Sequence, residues 1–217
     1  MEHGMIVDSA LRFVREKLSD TESGHDWRHV YRVWKTAKRL ASEEEVDTLV
    51  VELGALMHDI ADSKFHKNDE TIGPRIAREF LEKQGLEPER TDHVIRIIEN
   101  ISFKGEKHVQ AFRSRELDVV QDADRLDALG AIGIARAFSY GGYFKRPLYD
   151  PDMKPRQGMG KEEYKSNNGT TINHFYEKLL LLKDRMNTES GRRMAQARHM
   201  FMQEYLDEFY REWEGQS

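Results

Sequence analysis

Apolar residues recur at helical spacing along almost the whole chain of 217 residues. Val7, Leu11, Val14 and Leu18 share one helical face, as do Val30, Val33, Trp34, Ala37 and Leu40, and then Ile72, Ile76 and Phe80. The pattern returns in Val94, Ile97, Ile98 and Ile101, in Ile172, Phe175, Tyr176 and Leu179, and in Met194, Ala197, Phe201 and Tyr205. Alternation of strand type is nearly absent, so the expected class is all-α.

Two stretches are apolar around most of their circumference and belong at a domain centre. Residues 46–60, VDTLVVELGALMHDI, keep Asp47, Thr48, Glu52, His58 and Asp59 as the side chains that want water. Residues 117–138, LDVVQDADRLDALGAIGIARAF, read as one further buried helix, in which Gly130, Ala131, Gly133 and Ala135 allow close helix approach. Polar groups inside such helices require partners, because an unpaired buried charge is costly. One segment breaks the rhythm: residues 139–171 hold three of the five prolines and five of the fifteen glycines. Loops of that length inside a compact domain are usually functional or disordered, and this one reads as a cover over a phosphorylated ligand or as a plain surface excursion or dimerisation arm.

Composition narrows the chemistry. Lys and Arg number 34 against 39 Asp and Glu, a net charge of −5, with nine histidines and no cysteine. Thiolate zinc sites, iron–sulfur clusters, disulfides and cysteine nucleophiles are excluded. A metal site must use imidazole and oxygen donors, which suit manganese, magnesium, nickel, iron or zinc. The acidic balance argues against general nucleic-acid binding. A mean hydropathy of −0.77, no run of about 18 apolar residues and no basic leader before an apolar core lead to the expectation of a cytoplasmic protein without a membrane partner.

Four residues then stand out. His29 lies on the second helix, His58 and Asp59 close the apolar third one, and Asp124 interrupts the later apolar helix. Two imidazoles and two carboxylates among core residues need mutual compensation, and one divalent cation supplies it while leaving coordination positions for water and a substrate oxygen. His25 and His29 share the i, i+4 spacing of a zinc-protease motif, but Asp26 stands where that motif carries Glu. Gly24 places the helix start at Asp26, a good N-cap, so Asp26 reads as a cap.

The order His29, His58-Asp59, Asp124 resembles the HD-domain metal-dependent phosphohydrolase superfamily. The strings HDWRHVYRVW, LGALMHDIADSKF, ENISFKG, QDADRLDALGAIGIAR and TINHFYEKLLLLKDRMNTESG are similar to a small bacterial YpgQ-type subgroup of nucleotide pyrophosphohydrolases. The resemblance runs over about residues 5–212. It implies a single all-helical HD domain over 1–217, with its core at about 20–130 and C-terminal helices and a lid-like loop, 139–217, packed on it. It further implies one divalent metal, manganese or magnesium first, held by His29, His58, Asp59 and Asp124. Asp62 is then the acid that handles the attacking water, with His25 a further acid near the site. Lys64, Lys104, Arg125, Lys145, Arg146, Asn173, His174 and Lys178 become the expected substrate contacts, and Trp27, Phe103, Tyr140, Tyr143 and Phe144 the candidates to stack a base.

The activity this implies is cleavage of (deoxy)nucleoside triphosphates to monophosphate and pyrophosphate by a metal-activated water. A 5′-nucleotidase or a cyclic-nucleotide phosphodiesterase shares the metal site and differs in the pocket. A module that keeps a metal for stability and does no chemistry is the reading from a different class. The expected partner is a nucleotide-type small molecule, and the resemblance adds a homodimer.

Overall fold

The structure is a computed structural model that describes residues 2–19, 26–61, 69, 71–101, 112–156 and 169–216. His25, Asp62, Lys64, Phe103 and Lys104 lie outside the described residues. Among the described residues every regular element is helical, and no helix is long and apolar enough to cross a membrane. The chain divides into two compact units, Met1–Asp124 and Arg125–Ser217.

The first unit is organised around one short helix. It contains α1 (Glu2–Lys17), α2 (Trp27–Ala41), α3 (Thr48–Met57), α4 (Ile72–Lys83), α5 (Pro88–Asn100) and most of α6 (Arg115–Leu126). α1, α2 and α5 all pack on α3, and α4 packs on α5. Every α3 residue from Leu49 to Met57 is buried, which a helix apolar on all sides requires. Gly54 lets α5 come close, because a Cβ there would meet the Ile97 side chain at 3.1 Å. Glu52 is the buried acid of this helix, and it is compensated: Trp34 Nε1 donates to it at 2.8 Å, Lys38 Nζ lies at 3.6 Å, and His3 Nε2 sits 3.1 Å from its other oxygen.

Helix ends are set by local chemistry. Asp26 caps α2, accepting from His29 N at 2.8 Å, as the sequence leads one to expect. Asp47 caps α3 through Leu49 N and Val50 N, and its second oxygen accepts from Arg90 Nε at 2.8 Å. Burial works to raise the Asp47 pKa, but the Arg90 bond and those two amides hold it below the usual carboxylate value. Pro88 opens α5, where its missing N–H costs nothing. The Asp26 cap fixes the turn that carries His29, so Asp26→Ala is expected to lower stability by about 1 kcal/mol. The same variant should weaken metal retention, which urea titration and metal analysis check in parallel.

The second unit contains α7 (Gly130–Tyr143), α8 (Thr171–Glu177), a 3-10 helix (Leu179–Arg185) and α9 (Glu189–Trp213). α9 packs on α7 and the 3-10 helix, and α8 packs on both of these as well. Phe138, Phe175 and Tyr205 meet at ring separations of 6.0 to 6.2 Å, joining three helices. Thr170 and Thr188 cap α8 and α9 by accepting from Asn173 N and Gly191 N.

Three expectations are corrected. Residues 117–138 are not one helix: α6 ends at Leu126, a turn follows, and α7 starts at Gly130 with φ +70°. The buried Asp127 in that turn pairs with Arg136, which holds the break. α7 is also exposed along much of its length, Ile132 and Tyr140 at 44% and 53%. The irregular segment is shorter than 139–171, because α7 runs on to Tyr143. Its described part is tied down: Thr171 N and Ile172 N donate to Pro147 O and Leu148 O, and Arg156 grips Glu177 in bidentate fashion at 3.0 and 3.2 Å. On α9 the core stripe is Ala195, His199, Met202 and Leu206, while Ala197 and Phe201 face solvent. The two stripes have equal periodicity, and packing selects the one whose small Ser190 and Gly191 continue it at the buried start of the helix.

Candidate metal centre

The start of α2, the end of α3 and α6 bring His29, His58, Asp59 and Asp124 together within the first unit. One ligand atom each from His29, His58 and Asp59 lies within 4.8 Å of the others. His29 Nε2 is 3.5 Å from Asp59 Oδ2 and 3.4 Å from Asp124 Oδ1, and His58 Nε2 is 3.3 Å from Asp59 Oδ2. The two imidazole rings stand edge to face with centroids 5.5 Å apart. Both histidines are buried, while Asp59 and Asp124 keep part of their surface.

The donor set fits a divalent ion on an observation independent of its composition. His58 Nδ1 lies 2.8 Å from Ala55 O. A carbonyl only accepts, so Nδ1 carries the proton and Nε2 presents its lone pair toward the carboxylates. A lone pair beside two anions requires a cation between them, either a proton or a metal. Two imidazole nitrogens and two carboxylates suit the borderline and hard divalent ions, and the backbone bond on the far ring nitrogen is the usual support of a metal-bound histidine.

Electrostatics around the centre follow from the same geometry. Burial works to lower the His58 pKa, but the adjacent Asp59 carboxylate and Asp124 outweigh it and raise it above 6.5. Burial works to raise the Asp124 pKa, and the bond from His29 with the charges of both histidines brings it below the usual value. The two raised and lowered groups give opposite pH behaviour with and without metal. Without metal, protonated His58 contributes stability in full below about pH 6.5, the unfolded value, and that contribution is lost as pH rises through the higher folded value. With metal, His58 must lose its proton, so binding strengthens over the same rise. Thermal unfolding from pH 6 to 9, with chelator and with excess manganese, is expected to show stability falling in the first series and rising in the second.

The other expected site residues that are described, Trp27 apart, belong to the second unit. Arg125, although next to Asp124 in sequence, donates through Nη1 to Arg185 O at 2.7 Å. Lys145 is exposed at φ +55°, and Lys178 is exposed at the end of α8. Asn173 is buried and its amide donates to Met153 O at 2.8 Å, a contact that holds the segment before α8. Arg146 and His174 belong to the second unit, His174 on α8 and Arg146 with its guanidinium over the Tyr140 ring at 5.5 Å. Tyr140, Tyr143 and Phe144 form a contiguous ring cluster with centroids 4.5 to 5.0 Å apart. Trp27 packs against Tyr31. Two polar residues escaped sequence reasoning. Gln121 Nε2 donates to Asn100 O and Ile101 O and so satisfies the end of α5, and Thr171 sits almost fully buried at the start of α8. An amide inside an apolar helix was the available signal for Gln121; a threonine at a helix start carries none.

Comparison with known proteins places this arrangement. The HD-domain family model matches residues 26–129, which include all four ligand candidates. The uncharacterized protein YpgQ of Bacillus subtilis is 37% identical over 206 residues, 94% of this chain and 91% of YpgQ. A crystal structure of an HD-superfamily hydrolase from Bacillus thuringiensis superposes with TM-score 0.80 at 39% identity, covering 98% of both chains. The crystal structure of Bacillus subtilis YpgQ in complex with ADP superposes with TM-score 0.77 at 34% identity, over 98% of this chain and 97% of that one.

Proposed function

The chain belongs to the HD superfamily of hydrolases, and from that premise we propose that it cleaves (deoxy)nucleoside triphosphates to monophosphate and pyrophosphate with the help of a divalent ion. The observation that carries the reading is the convergence of His29, His58, Asp59 and Asp124, with the His58 lone pair aimed into the cluster by Ala55 O. The nucleotide class is supported by the ADP held in the YpgQ crystal structure.

His29, His58, Asp59 and Asp124 hold the ion, with manganese or magnesium first among the candidates. When bound, it supplies Lewis-acid polarisation of a phosphoryl oxygen and a more acidic water. The chain's own residues do the rest. The Ala55 contact orients the His58 ring, and the Asp26 cap holds the His29 backbone. Water adds at the α-phosphorus, the bridging bond to the β-phosphate breaks, and pyrophosphate leaves with the bond's electron pair. Asp62 takes the proton of the attacking water and His25 assists, roles that rest on their places in the motif. Lys64 and Lys104 enter for the same reason as phosphate contacts. The substrate is a small molecule, and neither nucleic acid nor a membrane has a role in this reading; a cytoplasmic homodimer is its setting.

A nucleotide panel tests this. Ribo- and deoxyribonucleoside triphosphates, monophosphates and cyclic nucleotides are incubated with manganese, and orthophosphate and pyrophosphate are assayed separately. Pyrophosphate as the first product from triphosphates is expected. Orthophosphate as the first product, from triphosphates or monophosphates, would replace this reading with a nucleotidase one, and opening of a cyclic nucleotide with a phosphodiesterase.

A further inference from the structure

Helices α3, α5 and α6 meet one turn away from the candidate ligands. On α3, Gly54 precedes His58 by four residues, and on α6, Val120 precedes Asp124 by four. A Cβ on Gly54 would lie 3.1 Å from Ile97 Cγ2 of α5 and 3.6 Å from Val120 Cγ2 of α6, so the helices touch where a side chain is missing. Apolar contact of this kind sets how closely helices approach, but it is non-directional and does not by itself fix the register of α6 along its axis. Directional bonds do that. At the start of α6, Glu116 Oε1 accepts from Asp47 N at 3.0 Å, about 12 Å of helix axis away from Asp124. Gln121 lies nearer, one turn before Asp124. It is 5% exposed, and its Nε2 donates to Asn100 O at 3.1 Å and Ile101 O at 3.4 Å, carbonyls that the end of α5 leaves without helical partners.

We propose that Gln121 is a positioning residue for the metal centre: by gripping the end of α5, it fixes the register at which α6 presents Asp124 to His29, His58 and Asp59. The inference rests on the reading of these four residues as ligands of one ion. Its physical basis is the small tolerance of such a site. Ligands must be held to within about 0.5 Å, whereas a slip of one residue along a helix is about 1.5 Å. Position 121 also favours an apolar side chain on local grounds, because its neighbours Val119, Val120 and Ala123 are fully buried. Burying an amide among them costs desolvation, which the two α5 carbonyls offset. The Gly54 contact thus sets how close the helices come and Gln121 sets their register, one turn before the ligands that the ends of α3 and α6 carry.

Calorimetric titration of manganese into the metal-free full chain tests this, with circular dichroism as the check that each variant is folded. Gln121→Met keeps the length of the side chain and removes its donors. It should weaken manganese binding about tenfold, the lower end of the range for groups that orient metal ligands. Gln121→Asn keeps the amide one methylene short, should fall between Gln121→Met and wild type, and decides the matter if Gln121→Met does not fold. Leu40→Ala separates positioning from general loosening of the core. It opens a cavity in the same unit about 16 Å along α2 from His29, and should leave the affinity within about twofold of wild type. Unchanged affinity in the folded Gln121 variants, or an equal loss in Leu40→Ala, would overturn the proposal. Wild-type protein that binds no manganese would overturn the metal centre and this inference together, whereas wild-type binding with unchanged Gln121 variants overturns this inference alone.

Discussion

Asp124→Ala is expected to remove both metal retention and hydrolysis. Asp124 Oδ1 lies 3.4 Å from His29 Nε2, and its carboxylate is one of two anions that would balance an ion held there. Loss of a group that merely orients a metal ligand costs about 10–100-fold in affinity or activity, so loss of a ligand should exceed about 10²-fold. The fold should survive, because Asp124 is partly exposed and the helix around it is anchored by the buried Leu117, Val119, Val120 and Ala123. Metal content after gel filtration, phosphate release and circular dichroism are the three measurements. A folded Asp124→Ala protein that keeps both metal and activity contradicts the assignment. One that loses activity but keeps the ion moves Asp124 from the ligand set to substrate handling. The same experiment separates an enzyme from a module that holds a metal for stability alone, since the latter shows no turnover in the wild type.

The second large effect is on stability. Gly133 lies in the first turn of α7, and a Cβ there would fall 2.5 Å from the Ala128 carbonyl carbon and closer still to its oxygen. Both are backbone atoms of the turn between α6 and α7, which cannot swing aside as a side chain does. That turn is held by Ala128 N to Arg125 O and Leu129 N to Leu126 O at 3.1 Å each, and by Arg198 donating to Leu126 O. Gly133→Ala should therefore cost about 3 kcal/mol, the upper part of the range for overpacking. Gly142, near the end of the same helix, has open space around its missing Cβ. Gly142→Ala should be neutral or stabilise by about 0.5 kcal/mol, as expected when Ala replaces Gly in a helix. Urea titration of the two variants beside wild type checks the contrast; equal stabilities would contradict the packing of this turn.

These glycines also show where sequence reading reached its limit. Gly133 announces a close approach, but periodicity assigns that approach to a neighbouring helix, whereas it is made to the preceding turn. The α6–α7 break is hidden because Asp127 and Gly130 are compatible with helix in isolation; the Arg136 pair and the positive φ appear only with tertiary context. On α9, Met194 and Phe201 have the apolar spacing of a core face, and only packing shows that Ala195, His199 and Met202 occupy it. The convergence of the candidate metal ligands was more legible. His58, Asp59 and Asp124 are polar groups inside apolar stretches and His29 lies beside the core residues Val30 and Val33, and burial without compensation is a conflict that a sequence displays directly. Asp26 was legible for a local reason, a capping side chain just before an apolar period. The buried place of Thr171 and the bonds from Thr171 N and Ile172 N to Pro147 O and Leu148 O were not, since no local signal says that these two stretches will meet.

One divalent ion is expected among His29, His58, Asp59 and Asp124. A crystal structure of the protein grown with manganese, with an anomalous difference map, tests it most directly. A single strong peak is expected in contact with His29 Nε2, His58 Nε2 and one carboxylate oxygen each of Asp59 and Asp124, at about 2.0–2.3 Å. A manganese peak held by other residues, or none in crystals containing millimolar manganese, would contradict it.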